Sequence, residues 1–471
     1  MKKIWFVILL FTTLLWGSGM AAAPKYVFFF IGDGMGIGHV QSLRTYYKDT
    51  SDPEGNLQHF YDFPIASIVT TFSYDDDMTD SAAAGTALAC SKKTRNSMLG
   101  MDADTVALTS VAKRMKQAGR GVGIMSSVCL NDATPAAFYA SRPNRGDYYE
   151  IALQGACSGF DFLAGAYFRD PYGTKAGTPG NVFTEYQNAG YTIVRGKQGY
   201  EDATAAHADR ILWLDADTVS ENTIGYAIDG CSNDMTLPNM VSAAIEHLYK
   251  NYWKGFFIMA EGGGIDHLAH ANDAAGVIRE TKEFDTAIRV AYEFYRQHPK
   301  ETLIIVTADH ETGGLGLGVK ESSYKQHMDY IQHVSVSKNA FWNEFCKSIN
   351  NDPNNLTWEN AERFINKRLG LGSIIPLSAG EKGTLMTVFQ KSVIDKTTGK
   401  EHTLYADFDG FTTAVYKLLS TKIGIGWTTY SHTGNAVPFF AIGAGADHFA
   451  TAGWLDNTDL SRIISQLCRL Q

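Results

Sequence analysis

Seven side chains with metal-ligating chemistry stand immediately before or after short apolar runs in this sequence. Asp33, Glu261, Asp266 and Asp309 offer hard carboxylate oxygens, and His270, His310 and His432 offer imidazole nitrogens. Mixed Asp/His sets suit zinc, and oxygen-rich sets suit magnesium. They occur in Gly32-Asp33-Gly34-Met35-Gly36, Glu261-Gly262-Gly263-Gly264-Ile265-Asp266-His267-Leu268-Ala269-His270, Thr307-Ala308-Asp309-His310-Glu311 and Ser431-His432-Thr433-Gly434. A fifth motif, Asn131-Asp132-Ala133-Thr134-Pro135, adds another carboxylate and a hydroxyl. A lone Asp after a strand is usually a helix cap, and a lone His is usually a satisfied core or surface residue. His59, His207, His247, His298, His402 and His448 are read that way, and Asp75-Asp76-Asp77 as a solvated loop. The collection at strand ends points instead to a metal centre. Asp266 and His270, four residues apart, share one face if a helix starts there.

Two competing readings fail by counting. The first glycine cluster places His39 where a dinucleotide fingerprint requires its third glycine. Thr79-Asp80-Ser81-Ala82-Ala83 puts a hydroxyl at an apparent helix start, but no Gly-x-Ser-x-Gly elbow surrounds it. In isolation Ser81 or Asp80 is an ordinary N-cap. As a nucleophile, Ser81 would gain from the helix dipole and free N–H groups, and a metal would have to lower its pKa.

The elements that must position these groups are legible as five continuous apolar runs: 26–31, 122–125, 255–259, 302–306 and 437–442. Unbroken rather than alternating hydrophobicity marks strands buried on both faces. Amphipathic helices are expected over 107–117 and 274–297. The alternation gives an α/β fold with a central, largely parallel sheet flanked by helices. In such a sheet the carboxyl ends of the strands share one edge, so four motifs converge there, and the loop entering the last strand can reach it. Residues 318–424 read as a mostly helical insertion or cap, with helices over 339–349, 358–367 and 381–390, inside a catalytic domain of 24–317 and 425–471.

Lys2 and Lys3, the apolar run Ile4 to Trp16 and the small residues ending at Ala23 predict a secretory signal over 1–23, hence an exported, periplasmic or secreted protein with no membrane span after its removal. The six cysteines form no C-x-x-C pair and could form up to three disulfides outside the cytoplasm. With 45% hydrophobic and 19% charged residues over 471 positions, disorder as the main state is excluded. The net charge of −9 gives no reason to expect nucleic-acid binding.

In chain order, Asp33-Gly34-Met35-Gly36, Asp80-Ser81-Ala82-Ala83, Asp132-Ala133-Thr134-Pro135-Ala136-Ala137, Glu261 to His270, Thr307-Ala308-Asp309-His310 and His432-Thr433-Gly434 resemble the alkaline phosphatase family. The resemblance implies hydrolysis of small phosphate monoesters through a phosphoserine on Ser81, with two zinc ions and one magnesium. It implies that Asp266, His270 and His432 hold one zinc, that Asp33, Asp309 and His310 hold the second, and that Asp33, Thr134 and Glu261 hold the magnesium. The phosphate-gripping arginine falls on Arg145, with Arg142 a nearby competitor; Asp132 and His267 occupy positions behind the ligands where family members vary. A homodimer is implied by analogy alone. The alternatives are a phosphodiesterase of the same superfamily and an inactive secreted binding protein on this fold; a sulfatase lacks its Cys/Ser-x-Pro-x-Arg motif around Ser81.

Overall fold

The computed structural model describes residues 23–471 except 176, 178, 217–221, 231–234 and 451–452. The expected signal segment, apart from its last residue, and Cys231 lie outside the described residues. Among the described residues no disulfide joins Cys90, Cys157, Cys346 or Cys468, and no helix is long and apolar enough to cross a membrane.

Among the described residues ten strands form the main sheet: β1 Tyr26–Ile31, β2 Ile65–Thr70, β3 Gly121–Ser126, β4 Phe162–Gly165, β5 Thr192–Arg195, β6 Ile211–Leu214, β7 Phe256–Glu261, β8 Thr302–Thr307, β9 Val437–Gly443 and β10 Leu455–Asp456. Their order is β10-β2-β9-β8-β1-β7-β3-β4-β6-β5. All five expected strands are present, and every residue of β1, β3, β7 and β8 is buried. β2, β4, β5, β6 and β10 are additional. Several of these are only two to four residues long, too short to stand out as apolar runs.

Register aligns the strand ends. Ile31 pairs with both Glu261 and Thr307, and Ser126 pairs with Glu261, so four neighbouring strands stop at one level. Only β9 runs against its neighbours, antiparallel to both β8 and β2. The loop entering β9 therefore reaches the edge from which the other strands leave, and it carries His432.

Short helices begin at that edge: α1 Ile37–Thr50, α2 Ser81–Cys90, α3 Ala133–Ala136 and α4 Gly264–His270. The expected helix over 107–117 is shorter, Val111–Gln117, because the Ser110 hydroxyl accepts from Lys113 N and caps it there. The long helix α5, Ala274–Gln297, has Asp273 as its cap. Phe284 on α5 is fully buried against Phe30 and Phe60, and its ring lies 2.8 Å from where a Cβ on Gly262 would stand.

Residues 338–423 supply α6 Lys338–Ser348, α7 Trp358–Leu369 and α8 Ala379–Phe389, each within two residues of an expected helix, and α9 Gly410–Ile423, which was not expected. Phe341, Phe345, Phe364, Phe411 and Tyr416 form their aromatic core. Between α8 and α9 lies a small hairpin, Glu401–His402 paired with Asp407–Phe408. Lys338 ties this segment to the sheet side: its N–H donates to Asp273 Oδ2 at 2.7 Å and its Nζ to Ala271 O at 2.9 Å.

Phe284→Ala opens a cavity between α5 and the loop after β7. It should lower the free energy of unfolding by about 3–5 kcal/mol in denaturant titration.

Candidate active site

Asp33 sits on the turn leaving β1. Gly34 adopts φ +70°, and a Cβ there would stand 2.8 Å from Thr312 Oγ1 and 2.9 Å from Asp266 Oδ1. This is where the chain must be glycine for separate loops to close around one point. Gly34 N and His310 N both donate to Asp309 Oδ1, at 3.1 and 2.9 Å.

Among the described residues two ligand clusters form. In the first, Asp266 and His270 share one face of α4, and His432 arrives from the loop before β9. His270 Nδ1 donates to Tyr430 O at 2.5 Å, and His432 Nδ1 to Thr79 O at 2.8 Å. In the neutral imidazoles Nε2 is then the lone-pair nitrogen, and the two Nε2 atoms lie 3.2 Å apart and 3.4 and 3.7 Å from the Asp266 carboxylate. In the second cluster, Asp33 and Asp309 lie 3.5 and 3.3 Å from His310 Nε2. Thr312 Oγ1 gives its one proton to Asp266 Oδ1 at 2.5 Å, so it accepts from His310 Nδ1 at 3.3 Å. His310 Nε2 is then also a lone pair, facing two carboxylates.

Acceptors facing acceptors at such distances repel unless a cation lies between them. Asp33 Oδ1, Asp266 Oδ2 and Glu261 Oε1 are buried without a hydrogen-bond partner, which is the donor set a metal requires. Burial, reinforced by Asp309, Asp266 and Glu261, raises the Asp33 pKa well above the usual carboxylate range. Burial likewise raises Asp309 to about 6 and Glu261 to about 8. Burial would raise Asp266 too, but the positive charge that His270, His432 and His310 carry when protonated holds it below the ordinary value.

Thr134, on α3, places Oγ1 3.4 Å from Asp33 Oδ2 and 3.3 Å from Asp309 Oδ2. Glu261, at the end of β7, faces Asp33 on one side and accepts the Ser126 hydroxyl on the other. Asp33 is thus the carboxylate shared between Asp309/His310 and Thr134/Glu261.

Ser81 is the first residue of α2, and its cap is Asp80, whose carboxylate accepts from Ala83 N at 2.9 Å. Ser81 Oγ lies 3.2 Å from His310 Nε2, and the side chain is buried. Arg145 reaches the same place, with Nη1 3.3 Å from Asp80 Oδ2 and Nη2 3.1 Å from Asp132 Oδ1. Arg142 turns away to Asp147. Behind Arg145, Arg169 binds the other Asp132 oxygen at 2.9 Å. Burial alone would raise Asp132, yet Arg169 and Arg145 hold it at about 2. Burial lowers His267 to about 4, so its imidazole is neutral, with Nδ1 3.4 Å from Tyr226 Oη.

All twelve expected site residues gather at this edge. Sequence reasoning missed Thr312, Ser126, Arg169 and Tyr405, whose ring lies against His267 with centroids 3.8 Å apart. Arg169 follows β4, and recognising that four-residue strand would have pointed to it. Tyr405 carries no sequence signal.

The family model described as alkaline phosphatase matches residues 24–161 and 164–470. Alkaline phosphatase 4 of Bacillus subtilis is 31% identical over 95% of this chain and 89% of its own length. The repressible alkaline phosphatase of Saccharomyces cerevisiae is 28% identical over 88% and 75%. Among solved structures, a cold-active alkaline phosphatase from a psychrophilic Shewanella superposes with a TM-score of 0.77 at 27% identity, covering 94% of this chain and 99% of that one. The Thermus thermophilus alkaline phosphatase reaches the same TM-score, 0.77, at 23% identity over 96% and 93%, a likeness of fold.

Gly34→Ala should lower the unfolding free energy by about 1–3 kcal/mol, through strain at positive φ and displacement of Asp266. Elemental analysis of the purified variant should show less bound divalent metal than the parent.

Proposed function

The chain belongs to the alkaline phosphatase family, whose members are metal-dependent phosphoric monoester hydrolases, and on that premise we propose that it cleaves small phosphate monoesters through a phosphoserine on Ser81. Asp266, His270 and His432 would hold one zinc, Asp33, Asp309 and His310 a second, and Asp33, Thr134 and Glu261 a magnesium. Bound there, the ions would supply positive charge that lowers the pKa of a neighbouring hydroxyl and offsets charge developing on the ester oxygens. Residues 24–317 and 425–471 form the catalytic domain in this reading, and 318–424 its cap. The leader over 1–23 directs export.

What supports the reading is the 3.2 Å approach of Ser81 Oγ to His310 Nε2 at the start of a helix. The helix dipole favours an alkoxide at that position and a phosphate beside it. Arg145 grips two phosphate oxygens in a bidentate fork, held ready by Asp80 and Asp132. Ser81 Oγ attacks phosphorus in line, the P–O bond to the alcohol breaks, and the alcohol leaves with a proton. Water then cleaves the phosphoserine, returning the serine hydroxyl and inorganic phosphate.

Hydrolysis of a phenyl phosphate monoester by purified protein tests this directly. Ser81→Ala should reduce kcat by at least about a thousandfold. Chelator should abolish turnover, and zinc with magnesium should restore it. Faster cleavage of a bis-phenyl diester, chelator-insensitive turnover or an active Ser81→Ala variant would each reject the reading. Arg145→Ala should weaken inhibition by inorganic phosphate by about ten- to a hundredfold, the loss of a charge-assisted pair.

A further inference from the structure

The hairpin between α8 and α9 reaches the site from the helical segment rather than from the sheet. Its tip residue Tyr405 lays its ring on His267, with centroids 3.8 Å apart and planes inclined by 36°, and stands edge-on to His270 at 5.3 Å. The hairpin is fixed from both sides. Thr403 Oγ1 donates to Ala406 O at 2.8 Å across the turn, and Thr413 Oγ1 donates to Glu401 Oε2 at 2.8 Å at its base. Lys338 Nζ lies 4.2 Å from the Phe408 ring centroid and 3.8 Å from Glu401 Oε2, while bonded to Ala271 just after α4. The element holding Asp266 and His270 and the hairpin holding Tyr405 are therefore joined by one buried lysine.

The surroundings of the Tyr405 hydroxyl indicate what it meets. The Tyr405 ring packs on His267 and His270, which stand on either side of Leu268–Ala269 along α4, directly after Asp266. His270 touches His432, whose ring stacks on His310, and His310 lies 3.2 Å from Ser81, so the Tyr405 ring stands beside the space that the proposed function assigns to phosphate. A phenol is protonated at neutral pH, so it can donate a proton but carries no charge to repel a dianion. His267, beneath it, is neutral and has its Nδ1 engaged with Tyr226.

We infer that Tyr405 is a further substrate-binding residue, donating its phenolic O–H to a phosphate oxygen of the ester, with the stacked His267 ring holding the phenol in place. The inference rests on the proposed phosphomonoesterase reading and adds a contact supplied by the helical segment.

Tyr405→Phe removes the oxygen and keeps the stacked ring, whereas Tyr405→Ala removes both. Each is compared with the parent holoenzyme for phenyl phosphate turnover and, by calorimetry, for affinity towards inorganic phosphate. Tyr405→Phe should weaken phosphate binding and lower kcat/KM by about tenfold, as expected for losing one hydrogen bond to an anion. Unchanged values in Tyr405→Phe with a fall only in Tyr405→Ala would reduce the residue to a packing role and overturn the inference. A parent enzyme that binds no phosphate and cleaves no monoester would overturn the underlying reading, and the inference with it. A parent that does both while Tyr405→Phe matches it overturns the inference alone.

Discussion

Four carboxylates buried at one edge of a sheet are the constraint on which the rest of this molecule depends. Asp33, Glu261, Asp266 and Asp309 are nearly or fully inaccessible to solvent. Among the described residues no Lys or Arg pairs with any of them. Two unit charges 4 Å apart repel by about 4 kcal/mol at an effective dielectric constant of about 20, so several such contacts would cost more than a typical domain can spare. Protonation relieves part of this, and burial first, with the repulsion adding to it, pushes Asp33, Glu261 and Asp309 all up. Cation binding relieves it without consuming protons, and the three imidazole lone pairs point where cations would lie.

That arrangement needs a rigid frame, and the sheet supplies one. β1 is flanked by β7 and β8 in matched register, so Asp33, Glu261 and Asp309 are fixed relative to one another by backbone hydrogen bonds rather than by side-chain packing. The reversal of β9 brings His432 to the edge from the opposite chain direction, and the backbone carbonyls of Thr79 and Tyr430 orient the two imidazoles of its cluster. Such carbonyl contacts fix the tautomer of a ligand histidine and raise its basicity. Gly34 permits the closest approach, with its backbone wedged between Thr312 and Asp266.

How much of this could be read from sequence follows the same physics. Strands buried on both faces are continuous apolar runs, so β1, β3, β7, β8 and β9 were visible, and with them the residues that leave their ends. β4, β5 and β6 are four residues each and β10 is two, which gives hydrophobic patterning too little length, and Arg169 was hidden with them. Residues that act across the chain rather than along it left no local trace. Thr312 matters because its single proton settles the tautomer of His310, and Tyr405 because a hairpin far along the chain lands on His267. Ser81 was legible as a helix-start hydroxyl, but only the structure separates its position from that of Asp80, which takes the cap.

The pairing of Asp132 with two guanidiniums gives the arginine end of the site a different logic from the end where the four carboxylates meet. Breaking a buried pair by removing one partner normally leaves an uncompensated charge and costs several kcal/mol. Here Arg169 holds Oδ2 while Arg145 holds Oδ1, so a phosphate that draws Arg145 away leaves the carboxylate still paired. Arg145 also keeps a second tether at Asp80, the residue that caps the helix carrying Ser81. The arginine that would grip the ester and the serine that would attack it are thereby referred to the same helix terminus. Asp132 favours a charged His267, but burial outweighs that pull and leaves the imidazole a neutral platform. In the proposed reading, cations at one end and guanidiniums at the other would bracket a dianion, with Ser81 between them.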